Sequence, residues 1–224
     1  MQISPDLVVY WRWGSFGLNA TIFFSWVIII LIAAGSWLVT RRLRTGVHIS
    51  KWQNVLEIIV SVIQQQLAKI IKRNPNRLIP FVGTLFLFIG VSNVLSFVPG
   101  FHAPTGSLST TAALAITVFL AVPVYGISEI GTLNYLRNYI QPTFIMLPFN
   151  IIGEISRTLA LAVRLFGNVM SGSMIGAILL TVAPVIFPVL MHLLGLLTGI
   201  VQAYIFAVLA TVYIAAGMQM QTKR

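Results

Sequence analysis

Glu154, Arg157, Arg164 and Asn168 stand inside one otherwise apolar stretch of this chain. An arginine at bilayer depth costs about 2.5–3.5 kcal/mol on insertion scales, so such residues face protein or water and usually serve transport. Arg157 and Arg164 are seven apart, almost two helical turns, and share a face. Asn168 and Ser171 continue that face, which makes one polar ridge. Glu154 precedes Arg157 by three, within reach of a helix-surface ion pair. A second polar notch follows: Gly195, Gly199 and Gln202 fall at i, i+4 and i+7. Its glycines form a G-x-x-x-G face that lets another backbone approach closely. The chemistry these residues suggest is passage of an ion beside a fixed positive charge, Arg164. Blander readings stand beside it. Arg164 could snorkel to an interface, Glu154 and Arg157 could be a charge-satisfying pair near a helix end, and the glycine notch could be plain helix packing. His192 reads as an interfacial side chain or a proton relay, while His48 and His102 read as solvated loop residues.

These residues must be positioned by membrane helices. Apolar residues make up 58% of the chain and charged residues 8%, with a mean hydropathy of +0.94. A soluble domain carries about a quarter charged residues. Three stretches hold no charge at all, 13–40, 78–128 and 165–222. About 20 apolar residues cross the hydrocarbon core, so the longer two stretches hold more than one helix each. There is no cysteine, which excludes disulfides, thiolate catalysis and cysteine metal sites. The net charge of +10 reads as loop charge that fixes topology, with no nucleic-acid partner. The first apolar stretch is too long for a signal peptide, and no cleavage signature follows it.

The pattern predicts five spans, about 17–40, 78–98, 111–128, 143–182 and 189–219, in a single membrane domain over 1–224. Residues 1–16 form a short polar and aromatic lead-in, with Trp11 and Trp13 suited to an interface. Residues 50–73 are amphipathic and predict a helix lying on the membrane surface. Loops are predicted at 101–110 and 129–142, and Pro184 and Pro188 are expected to break the chain. Eleven of the fourteen basic residues then fall on the C-terminal side, which predicts a cytoplasmic C-terminus. The fold class is all-α and integral to the membrane.

Four segments carry a resemblance. EISRTLALAVRLFGNVMSG runs from Glu154 to Gly172, and QAYIFAVLATVYIA begins at Gln202. SNVLSFVPGFHAPTGSLSTTAALA occupies 92–115, and YIQPTFIMLPFNII occupies 139–152. Together they resemble subunit a of the F-type ATP synthases, over nearly the whole chain from the second span onward. The resemblance implies that Arg164 is the family's essential arginine, with Asn168 and Gln202 as its polar neighbours. It implies two long tilted helices, 143–182 and 189–219, paired as a hairpin against a ring of c subunits. It also implies peripheral-stalk b subunits as partners and, indirectly, the catalytic head. The chain would conduct ions and would not be an enzyme by itself, with no cofactor and no metal.

Two positions depart from the family pattern. Many members carry an acid or histidine nine residues after the arginine, where this chain has Ser173. Many carry His or Glu seven before the glutamine, where this chain has Gly195. Serine offers only a hydrogen bond or a lone pair. Either water, His192 or His102 takes the relay's place, or the ion is sodium, as in N-type relatives. On this reading Glu154 lines the cytoplasmic half-channel, and Ser171, Ser173 and His192 line the other. The expected location is a bacterial inner membrane, with a thylakoid as the alternative. Two rivals remain: a secondary ion transporter, and a non-conducting membrane scaffold.

Overall fold

A computed structural model describes residues 9–13, 16–41, 51–71, 75–98, 100–133, 135, 137, 146–182 and 186–219. The architecture is helical, with one short ribbon at its start. Strand β1 (Val9–Trp13) pairs antiparallel with β2 (Phe16–Asn19). The sequence reading had a lead-in and the start of a span here. The β-prone residues Val9, Tyr10, Trp11 and Trp13 make a strand instead, and the first helix begins three residues later than expected.

Helix α1 is Ala20–Thr40. It is apolar all round, and only Ala20, Thr21 and Ile28 are buried. Its end is closed by the Arg41 N–H on the Trp37 carbonyl at 2.9 Å, with the guanidinium 5.0 Å from the Trp37 ring. Helix α2, Lys51–Ile70, is the predicted amphipathic one. Ile63 and Leu67, four apart, turn inward, while Gln64, Gln65 and Lys69 stay exposed. Helix α3 is Ile79–Leu95. Its buried residues Val82, Leu85, Ile89, Ser92 and Asn93 recur every three or four positions, so one stripe faces the interior.

The loop after α3 folds into a 3-10 turn, Pro104–Gly106, and α4 runs Leu108–Ile130. That start is three residues before the predicted one. The helix closes at Gly131, whose φ of 85° suits glycine. The predicted return loop at 129–142 is partly helical, since residues 132, 133, 135 and 137 are in helix. Helix α5 is Met146–Val182, and α6 is Ile186–Gln219. Pro188 does not break the chain. It sits in the first turn of α6, where the missing N–H has no partner to lose. Pro184 lies outside the described residues.

Four helices are long and apolar enough to cross a membrane: α1, α4, α5 and α6. α3 is apolar but has 17 residues, the lower end of the spanning range. α3 packs chiefly on α6, α4 on α5 and α6, and α5 on α6, while α2 lies across α3 and α6. Two cores result. One joins Ile63 and Leu67 of α2 to Val82, Val122, Ala207 and Ile214. The other joins Leu85 and Ile89 to Ala115, Val118, Leu161, Leu165, Ala203 and Phe206. Between helices in lipid, such contacts stabilise by close packing, because apolar tails surround the chain in either case.

Candidate functional site

The α5–α6 pair positions every residue of the predicted ridge and notch. Leu161, Ala162 and Leu165 of α5 are buried against Ala203, Phe206 and Ala210 of α6. Phe206 and Leu165 are both 0% exposed. This dry contact fixes the rotation of α5, and so fixes where its ridge points. Arg157 and Arg164 emerge exposed beside that contact, as does Ser171, while Asn168 is half-buried.

Arg157 has a partner on α6: its guanidinium lies 5.7 Å from the Tyr213 ring centroid. A cation over an aromatic face is attracted by the ring quadrupole. The sequence had pointed to Glu154 as its pair. Glu154 is half-buried, and its carbonyl accepts from Thr158 Oγ1 at 2.9 Å. Arg164 makes no hydrogen bond or ion pair among the described residues. Neither Asn168 nor Gln202 reaches it. Asn168 Nδ2 donates to the Thr198 carbonyl of α6 at 3.5 Å. Gln202 is 5% exposed, and its Nε2 is buried without a hydrogen-bond partner among the described residues.

Past Asn168 the two helices part. A cavity of about 510 Å³ opens between α5, α6 and the end of α3. Asn93, Ser96, Asn168, Ser171, Ser173, Gly195, Thr198 and Gly199 are in its wall. The structure thus brings Ser171 and Ser173 of α5 around one space with Gly195 of α6. Its lining starts at Asn168, one turn beyond Arg164. The side chain of His192 lies outside the described residues, as does His48.

The chemistry of this wall follows from where its protons go. Ser171 Oγ donates to the Asn168 carbonyl at 3.2 Å, and Ser173 Oγ to the Met170 carbonyl at 2.8 Å. Thr198 Oγ1 donates to the Leu194 carbonyl at 2.9 Å. A hydroxyl has one proton and two lone pairs. With the protons spent on helix carbonyls, these side chains keep acceptor oxygens to offer. Such a wall suits water and cations better than anions. Among the described residues, no cluster of three or more His, Cys, Asp or Glu could hold a metal.

The glycine notch divides in two. A Cβ at Gly195 would meet nothing within 4 Å, because the cavity lies there. Gly199 is buried against the side chain of Asn93, not against a backbone. His102 departs from its solvated expectation: Nδ1 is buried without a hydrogen-bond partner among the described residues, and the ring stacks 6.1 Å from Phe24 at 29°. Sequence reasoning missed Asn93 and Thr105. Their only signal was a run of polar residues around a turn, and what matters is a contact reaching 106 positions along the chain.

Comparison with known proteins agrees over most of this length. The family model for the ATP synthase A chain matches residues 22–215. ATP synthase subunit a 1 of Chlorobaculum parvum is 58% identical, covering 100% of this chain and 99% of the relative. Subunit a 1 of Crocosphaera subtropica is 54% identical, at 100% and 97%. Subunit a of Albidiferax ferrireducens is 57% identical, at 96% and 94%.

Proposed function

The chain belongs to the ATP synthase A chain family, as subunit a of an F-type ATP synthase, and from that premise we propose that it forms two ion half-channels against a ring of c subunits. It is an integral membrane protein. The observation that carries the proposal is the pairing of Arg164, exposed on α5 with no partner among the described residues, with a cavity that begins one turn further along and whose largely apolar wall carries a patch of serine, threonine and asparagine.

In this mechanism each c subunit presents a carboxylate at mid-membrane. A bare charge facing lipid is costly, so an ion must neutralise it there. The carboxylate releases its ion into one half-channel, passes Arg164, and is reloaded from the other. Arg164 stabilises the ionised carboxylate in passage and blocks a direct leak between the half-channels. A guanidinium suits this role because it keeps its proton under all ordinary conditions. The cavity walled by Ser171, Ser173 and Gly195 is one half-channel, and Glu154 lines the other. With no carboxylate or imidazole among its described wall residues, the cavity carries a hydrated ion or a water chain, and H+ and Na+ are both compatible with it. Transport is driven by about 2.3 kcal/mol per charge per 100 mV, so several ions are needed per ATP.

The proposed topology has five crossings in a single membrane domain, α3 being the short one, with α2 and the C-terminus on the cytoplasmic side of a bacterial inner membrane. The partners are the c ring, the b subunits of the peripheral stalk and, through them, the catalytic head. The test is replacement of Arg164 by Ala or Lys in the assembled complex, reading ion-driven ATP synthesis in vesicles. Loss of coupling with normal assembly supports the reading. Wild-type coupling in either variant sinks it.

A further inference from the structure

Position 199 has no room for a side chain. A Cβ built there would stand 2.7 Å from Asn93 Cβ, 3.1 Å from its Cγ and 3.2 Å from its Nδ2. Asn93 therefore fills the volume that any other residue at 199 would need. It is also bonded in place at both ends of its amide. Nδ2 donates to the Gly199 carbonyl at 2.9 Å, and Oδ1 accepts from Thr105 Oγ1 at 2.8 Å. Ser92 Oγ lies 3.3 Å from Thr105 Oγ1. A hydroxyl has one proton, and Thr105 has given its own to Asn93, so Ser92 is the donor of that pair. The result is a directed chain from Ser92 to Thr105, to Asn93, to the main chain of α6. Ser92 and Thr105 are 0% exposed and Asn93 is 6% exposed, so the Ser92–Thr105 end of the chain is closed to water.

This chain grips α6 where it matters. Gly199 stands three residues before Gln202, on the same face of the helix. The neighbouring carbonyl, that of Thr198, is held from α5 by Asn168. Two asparagines on two different helices thus reach successive carbonyls of α6, Asn93 at 2.9 Å and Asn168 at a long 3.5 Å, one turn before the buried glutamine. Asn93 and Gly199 also form part of the cavity wall. We infer that Asn93 is a positioning residue for ion translocation: held by Thr105 and seated in the Gly199 notch, it sets the rotation and depth at which α6 presents Gln202 beyond the cavity. The inference rests on the half-channel reading given above.

The experiment uses the assembled complex in vesicles under an ion gradient. Gly199→Ala is expected to lower ion-driven ATP synthesis about tenfold while the complex assembles at normal yield. Adding Asn93→Gly to it removes all three overlapping atoms, and the double variant is expected to be faster than Gly199→Ala alone. Thr105→Ser keeps the donor and is expected to hold the parental rate, whereas Thr105→Val is expected to lose it. The chain has no cysteine, so a cysteine introduced at 202 reports α6 directly. Its labelling rate by a water-soluble thiol reagent is expected to change with Thr105→Val and to stay unchanged with Thr105→Ser. Parental synthesis in Gly199→Ala, or a double variant that only multiplies the two losses, overturns the inference. If the alanine variants fail to assemble, the Thr105 pair decides it, and equal rates and equal labelling for Ser and Val overturn it. The half-channel reading fails separately, by retained coupling in Arg164→Ala.

Discussion

The same two helices behave in opposite ways at their two ends. Between residues 161–165 and 203–210, α5 and α6 are in dry contact through Leu161, Leu165, Ala203, Phe206 and Ala210. Between 168–177 and 191–199 they stand apart around about 510 Å³. Composition accounts for the difference. Leucine and phenylalanine against alanine interdigitate and leave no void. Serine, glycine and asparagine are too small to fill the same separation, and their polar atoms find partners on their own or neighbouring helix backbones. The dry contact also keeps the helices from collapsing onto the cavity. Arg164 stands at the changeover, exposed beside Leu165 and one turn before Asn168. The contrast teaches that a pathway can be opened by residues too small to close it, provided that large ones nearby hold the frame.

Substitutions at four sites would break or sharpen this contrast. The largest effect is expected at the changeover itself. Arg164→Ala should lower ion-driven ATP synthesis by about 10²–10³-fold, as removal of a preorganised charge does, and vesicle assays of assembled complex measure it. Next comes the dry end. Phe206→Ala leaves a void in a fully buried position and should cost about 3 kcal/mol of stability, seen as a lower thermal midpoint in detergent. An unchanged midpoint would mean that this contact does not hold the frame. At the cavity, Gly195→Leu should obstruct the space and slow ion flux about tenfold. Gly195→Ala, which meets only open space, should leave flux at the parental level, and parental flux in Gly195→Leu as well would argue that the cavity is not the route. The smallest effect is expected at Tyr213→Leu. Removing the ring from Arg157 should cost about 0.5–1 kcal/mol, measured by the same thermal melt and abolished in an Arg157→Gln background.

Much of this arrangement was legible in the sequence, and for identifiable reasons. Apolar runs fixed the helices to within a few residues, because length and hydropathy are local properties. The ridge on α5 followed from the helical repeat alone. The ribbon at Val9–Asn19 was not legible, since its aromatic residues suit an interface as well as a strand. The start of α6 was misjudged because a proline in a first turn looks like a break until the helix is seen around it. The partners of the charged residues were the least legible part. Spacing put Glu154 within reach of Arg157, and it gave no sign that α6 crosses close enough to offer the Tyr213 ring. No local pattern announces that Asn93 occupies the place of a side chain at 199, because the missing volume and the residue that fills it lie on different helices.

The helix least involved in these contacts has its own consequence. α1 carries the highest hydropathy of the spans, and only 6% of its apolar window is buried within the chain. Phe23, Trp26, Ile30, Trp37 and Leu38 all face outward. Its stability in a bilayer therefore draws little on the rest of the protein. During biosynthesis such a segment can leave the insertion machinery for lipid before α3 to α6 have emerged. Once anchored, with Arg41 at its end, it sets the side on which each later loop must lie. The orientation of the proposed ion pathway would then be decided before any residue that lines it has been made.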